Sequence, residues 1–219
     1  MLNKPPGAVK RKAKPRGPAS RAVRSRKAGR PRKGEGGIDL ERIVQAAWAV
    51  VDRSGVAALS TRALAAALHV QGPALYWHVH GKDELLSLMV EHLLRDSLTN
   101  PPSGLGWSEW LEYVAKRQRE LLLAHRDSGL IASLAPPTER LRKEVFPGIM
   151  APLLAAGIRP QHASAAVGGL AALVLGWVIY EQRPETREFV EAFHDVDEGF
   201  EFALSSFVEG VRRTARMER

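Results

Sequence analysis

The sequence predicts an all-α fold. Three observations carry this. From residue 39 onward apolar residues recur at spacings of three and four, the period of an amphipathic helix. Capping residues, glycines and prolines bracket each of these runs. No stretch alternates with the period of two that marks a half-buried strand. A three-helix unit of helix-turn-helix type, residues 38–98, is expected ahead of a larger helical half, residues 99–219.

The chain has 219 residues and no cysteine, which excludes disulfides and thiolate metal sites and fits a reducing cytoplasm. No secretory signal is expected, because the first apolar cluster comes after more than thirty mostly polar and basic residues. Residues 1–37 hold 13 of the 32 Lys and Arg and a single acid, Glu35, while the rest of the chain has more acids than bases. Rich in Pro, Gly and Ala and poor in large apolar side chains, this tail cannot offset its ordering entropy by burial and is expected to be disordered. A polyanion is its expected partner, since neutralised phosphates release counterions. Within it Gly29-Arg30-Pro31-Arg32-Lys33 resembles the Gly-Arg-Pro core of an AT-hook, which would insert Arg30 and Arg32 into a narrow minor groove. Non-specific phosphate contact and a merely solvated tail are the other two readings.

Asp39 is placed to cap the first helix, whose Leu40, Val44, Ala47 and Val51 form one stripe and which Gly55 ends. Ser60 caps a second helix, Thr61 to Leu68. His69, Val70 and Gln71 turn the chain, and Gly72-Pro73 starts a third helix about two turns long. The expected core is Leu40, Val44, Ala47, Val51, Leu59, Leu64, Leu68, Val70, Leu75 and Val79. With Leu75 and Val79 inward, Tyr76, Trp77 and His78 are left outside, where a protein places aromatics only if something covers them. In a helix-turn-helix motif, here about residues 60–79, the covering surface is the DNA major groove.

Gly81 breaks the chain and Lys82 opens a fourth helix to about Leu98, with Leu85, Leu86, Met89, Leu93 and Leu94 inward. After a Pro- and Gly-rich loop, Ser108 caps a segment to about His125, and Pro136-Pro137, Pro147 and Pro152 cut the next stretch into short helices. Gln161–Tyr180 has no charged side chain over 20 residues, the length of a membrane span. More than half of it is Ala, Gly, Ser, Gln or His, and Arg159 and Arg183 bracket it symmetrically, so a buried helix at a dimer interface is preferred and no membrane is expected. A last amphipathic helix runs from about Val196 to Arg213.

The run LSTRALAAALHVQGPALYWHVHGKDELL resembles the N-terminal domain of the tetracycline-repressor (TetR) family of regulators, and LLLAHRDSGLIASLAPPTE at 121–139 continues the resemblance weakly. The resemblance implies a homodimeric transcriptional regulator, most simply a ligand-responsive repressor, binding a palindromic double-stranded DNA operator in the cytoplasm at the nucleoid. Arg62 would reach a guanine edge or a phosphate, and Ser60 and Thr61 a phosphate at a helix N-terminus. Gln71, Gly72, Pro73 and Ala74 would lead the recognition helix onto base edges. Tyr76, Trp77, His78 and Lys82 would contact phosphates and fix register.

The resemblance also makes residues 99–219 a ligand-binding and dimerisation domain. Residues expected around a small, mostly apolar or aromatic effector are Leu98, Trp107, Trp110, Tyr113, Val114, Arg117, Ile131, Leu134, Met150, Leu153 and Trp177. Residues expected between protomers are Ala166, Gly169, Leu170, Leu173, Val174, Trp177, Leu204, Phe207, Val208 and Val211. Two histidines that hold the drug and its magnesium in the tetracycline repressor are matched by Leu98 and Ala132, and its Arg-Pro pair by Pro136-Pro137, which argues against a magnesium–tetracycline effector. No cofactor or metal is expected, since the seven histidines show no ligand spacing. An enzyme is not expected, because no nucleophile–base pair or phosphate loop occurs. The alternative is an architectural DNA binder driven by the tail.

Overall fold

The computed structural model describes residues 39–217. The tail, with Arg30 and Arg32, and Ile38 lie outside the described residues. Those described form ten α-helices and no strand. In α1 (Leu40–Ser54) the Asp39 carboxylate accepts the Arg42 N–H at 2.8 Å, and Gly55, at φ 78°, closes the helix by donating to the Val51 carbonyl. The inward face is wider than the expected stripe: Ile43, Trp48 and Val50 are buried beside Val44, Ala47 and Val51. Leu40, expected in the core, is exposed, because it starts the helix beyond the core's edge. The extra width arises because α1 also packs against the C-terminal half, where Trp48 stacks on His125.

Ser60 caps α2 (Thr61–Leu68) by accepting the Ala63 N–H, and His69, left-handed at φ 56°, ends it. α3 (Gly72–Leu75) is shorter than expected, a single turn after which His78 and Val79 both donate to the Leu75 carbonyl. The cause lies downstream. The Glu84 carboxylate takes the His80 N–H at 2.5 Å and turns the chain toward α4 (Lys82–Asp96) before another helical turn can close. Leu75 and Val79 are buried as expected, whereas Leu68 and Val70 are only half-buried.

α5 (Trp107–Leu123) starts at Gly106 rather than at a Ser108 cap, because the Glu109 carboxylate accepts the Gly106 N–H at 2.8 Å. α6 (Ser128–Leu134) stops short of Pro136-Pro137. A wide turn, Leu141–Val145, leads into α7 (Phe146–Ala155), which carries Pro147 in its first turn and continues through Pro152. One missing N–H is tolerated there because Ile149 and Leu153 on either side anchor the helix in the core. α8 (Pro160–Glu181) matches the apolar segment. α9 (Pro184–Glu191) was not expected, and α10 (Val196–Met217) runs past Arg213.

One continuous hydrophobic cluster runs from Ile43 to Val208. Helix α4 joins its two ends, touching α1 on one side and α5 and α6 on the other. Among the described residues α8 alone is long and apolar enough to cross a membrane, but one face of it, Ala163, Ala166, Val167, Leu170, Val174 and Val178, fills the core.

Candidate functional site

The N-termini of α2 and α4 converge on the exposed face of the N-terminal bundle. Ser60, Thr61, Tyr76, Gly81 and Lys82 surround a hollow of about 270 Å³ whose floor includes Leu59, Leu75, Val79 and Leu85. Hydroxyls, unpaired helix-start N–H groups and the Lys82 ammonium are the donors a phosphate oxygen takes. Lys82 Nζ rests 3.3 Å from the Val56 carbonyl and its side chain is exposed. Tyr76 is 58% and Trp77 85% exposed. Arg62, Gln71, Pro73 and His78 are positioned on this end of the bundle outside the hollow, and all four are exposed. Gly72 and Ala74, at the start of α3, are half-buried.

A polar joint fastens this bundle to the C-terminal half. His125 Nδ1 lies 2.9 Å from the Asp52 carboxylate, whose other oxygen accepts the Arg126 N–H at 3.0 Å. Asp127, itself left-handed at φ 56°, accepts the Val56 N–H at 2.8 Å. Behind them the Gln182 carboxamide donates to the His125 carbonyl and the Ser128 hydroxyl and accepts the Gly129 N–H. The His-Arg-Asp run thus closes contacts between residues more than seventy positions apart.

Between α4, α5, α7, α8 and the turn before α7 lies a cavity of about 490 Å³. Its apolar lining includes Leu94, Val145, Phe146, Ile149, Val167 and Leu170, and its polar lining is Gln118, Thr138, Glu139 and Arg142. None of the eleven residues expected around an effector lines it. Val114, Ile131 and Leu153 are fully buried core, and the Trp110 indole is spent on the Ile149 carbonyl at 2.9 Å. Trp177 donates to the Val196 carbonyl and borders a separate hollow of about 110 Å³. Leu98 packs by Gly148, Arg117 pairs with Glu120 at the surface, and Leu134 is exposed. Trp107, Tyr113 and Met150 are packed against the core from its margin. Gln118 carried the signal that would have located the cavity: it is a polar residue on the buried stripe Trp110, Val114, Gln118, Leu122 of α5.

The residues expected between protomers also divide. Ala166, Leu170, Val174, Leu204 and Val208 point into the protomer's own core and are buried there. Gly169 closes the α8–α10 contact, since a Cβ on it would stand 2.9 Å from the Phe207 ring. Leu173, Trp177, Phe207 and Val211 are half-buried. The outward surface of the pair is a groove of about 450 Å³ whose lining includes His162, Ala165, Ser206 and Gly210 together with Ala166, Phe207 and Val211 of the expected set. Among the described residues no cluster of His and carboxylates is arranged to hold a metal.

Three kinds of similarity bear on this arrangement. Residues 43–89 match the model of the bacterial regulatory proteins of the tetR family. The chain is 30% identical over 199 residues to the class G tetracycline repressor protein of Vibrio anguillarum, covering 80% of this chain and 94% of the relative. It superposes on a single-substitution variant of TetR from Acinetobacter baumannii AYE, solved with minocycline, with a TM-score of 0.70 and 30% identity, covering 81% of this chain and 98% of that one. The Streptomyces coelicolor protein ActR, solved with actinorhodin, gives a TM-score of 0.70 at 25% identity, covering 81% and 97%.

Proposed function

The chain belongs to the tetR family of bacterial regulatory proteins, and we propose that it is a ligand-responsive repressor that binds a palindromic operator as a homodimer. The single observation that carries the DNA reading is Trp77, 85% exposed beside the half-exposed Tyr76 on the segment after α3. These rings flank the donor-rich hollow at Lys82, so they take phosphates while Gln71 to Ala74 meet base edges. A single bundle offers little surface for selective binding. Pairing through the outward groove of α8 and α10 sets two such bundles about 34–36 Å apart, one helical turn, which is why the operator is read as a palindrome. The effector is a mostly apolar or aromatic molecule in the cavity walled by Phe146 and Gln118, and it acts by binding the two dimer states unequally. The reading places the protein in the cytoplasm.

Selection of bound fragments from genomic DNA at about physiological salt, where non-specific attraction is weakened, tests this. One palindromic site, lost on Tyr76→Ala or Arg62→Ala, is the expected result. Scattered AT-rich fragments that survive those changes and vanish when residues 1–37 are deleted would instead make the tail the binding element and the protein an architectural one.

A further inference from the structure

Hydrogen bonds around Gln118 fix which way its amide faces and leave one of its atoms without a partner. Ser97, just past the end of α4, is fully buried and donates to the Leu94 carbonyl at 2.6 Å. A serine hydroxyl has one proton, and the 2.6 Å contact keeps it against the 3.4 Å contact to Gln118. Toward Gln118, Ser97 Oγ can therefore only accept, so the amide turns Nε2 to it and Oε1 away. Among the described residues no donor reaches Oε1. Gln118 is 5% exposed, yet Oε1 is not sealed in the core; it opens on the cavity that Gln118 lines. Thr138, the other neutral polar residue of the wall, is already engaged on both sides. Its Oγ1 donates to the Glu91 carboxylate at 2.6 Å and accepts the Leu141 N–H at 3.0 Å. Glu139 and Arg142 pair with each other at 2.8 Å at the exposed rim.

We propose that the effector carries a hydrogen-bond donor, an O–H or N–H on an otherwise apolar ring body, and that Gln118 Oε1 selects it. This rests on the ligand-responsive reading above and names the chemistry of the effector. An acceptor shut away from water without a partner costs free energy. A ligand that places a donor at Oε1 removes that cost, whereas an ether or a hydrocarbon of the same shape seals the cavity and keeps it. Gln118 has a second Nε2 proton, but that nitrogen already has a partner and Oε1 has none. The orientation of the amide, and with it the preference, is set by Ser97.

The test uses three probes built on one ring system: 2-naphthol, which has a donor, 2-methoxynaphthalene, which has only an acceptor, and naphthalene, which has neither. Equilibrium dialysis against the full chain measures the affinity of each. From the parent to Gln118→Leu, the preference for 2-naphthol over 2-methoxynaphthalene falls about tenfold, while naphthalene binds the variant more tightly than the parent. Comparing parent with variant cancels the differences in hydrophobicity among the probes themselves. Ser97→Ala frees Nε2 and lets the amide turn, so 2-methoxynaphthalene gains affinity while 2-naphthol stays close to its parent value. A glutamine that only fills space would give the same preference in parent, Gln118→Leu and Ser97→Ala. That outcome overturns the proposal and leaves an apolar effector cavity standing. Binding of none of the three probes up to their solubility overturns it together with the cavity's role as an effector site. Should Gln118→Leu not fold, Gln118→Met removes the amide from an unbranched side chain, and an unchanged preference in that variant overturns the proposal equally. Operator selection decides the repressor reading separately, since none of these affinities depends on DNA.

Discussion

His125, just beyond the C-terminal end of α5, reaches Asp52 of α1 at 2.9 Å while its ring stacks on Trp48 at 4.4 Å. Asp52 accepts two donors, the imidazole and the Arg126 N–H, so removing it orphans both. Asp52→Ala is expected to cost about 1–3 kcal/mol of stability. In a double-mutant cycle with His125→Ala the pair itself couples by about 0.2–1 kcal/mol, because both side chains keep some solvent contact. Urea unfolding of the four proteins measures this. Purely additive single losses would show that the joint is carried by backbone contacts alone.

Trp77 separates function from folding. At 85% exposure it contributes little to the folded state, and Trp77→Ala should change stability by no more than about 0.5 kcal/mol. The same substitution removes a large contact surface and its indole N–H from the proposed DNA face. A loss of operator affinity of about tenfold or more corresponds to about 1.4 kcal/mol. Thermal unfolding and fluorescence anisotropy on one preparation give both numbers. Lost stability with retained affinity would return Trp77 to an ordinary packing role.

Residues on opposite faces of α8 should fail in opposite ways. Leu170 lies 2% exposed inside the protomer, so Leu170→Ala opens a cavity costing about 2–5 kcal/mol. Ala165 faces the outward groove. Ala165→Glu leaves the monomer's melting behaviour close to the parent's and abolishes dimers through an unpaired interfacial charge. Sedimentation velocity reads the second effect directly. A dimer that survives Ala165→Glu places the protomer contact elsewhere.

This division explains how far the sequence could be read. Helix starts were legible wherever a side chain does the capping, as at Asp39 and Ser60, because the signal is local. The length of α3 was not, since it is cut by Glu84 reaching back to His80. On α8 apolar residues surround the whole helix, so periodicity names no inward face, and Leu170 and Val174, expected between protomers, are buried in the protomer's own core. Apart from Gln118, a polar residue on a buried stripe, the cavity was out of reach for a related reason. Its wall draws residues from 94 to 171, and no local pattern links Leu94, Thr138 and Ala171. The joint at Asp52, by contrast, rests on His125, Arg126 and Asp127, a run that stood out only as part of the resemblance.

Glu84 gives a pH dependence with a definite sign. The His80 backbone N–H, more than the His80 ring, holds its carboxyl below the usual carboxylate range. A carboxyl whose pKa is lower folded than unfolded adds stability that is present above its unfolded value and lost as pH falls through the folded one. The effect belongs to the turn between α3 and α4, at a largely exposed group, so it is small in the global unfolding curve. Hydrogen exchange at residues 76–82 on stepping down through that range shows local loosening, which Glu84→Gln abolishes as a pH effect by weakening the turn at every pH. Equal pH response in the two proteins would remove Glu84 from the account.

The cavity also predicts which effector fails. A relative was solved with minocycline, and the resemblance assigns the drug and its magnesium to two histidines whose places are held here by Leu98 and Ala132. Neither lines the cavity, and no histidine does. Its acid, Glu139, is already engaged by Arg142 and Lys143. A divalent cation carried in by the drug would therefore find no histidine and no unpaired carboxylate, only the neutral Gln118 and Thr138, bonded to Ser97 and Glu91, among apolar side chains. Titrating minocycline and magnesium into the operator complex should leave fluorescence anisotropy unchanged, with or without EDTA. Release that EDTA reverses would mean that a cation is held by groups outside this cavity, and the effector site would have to be sought there.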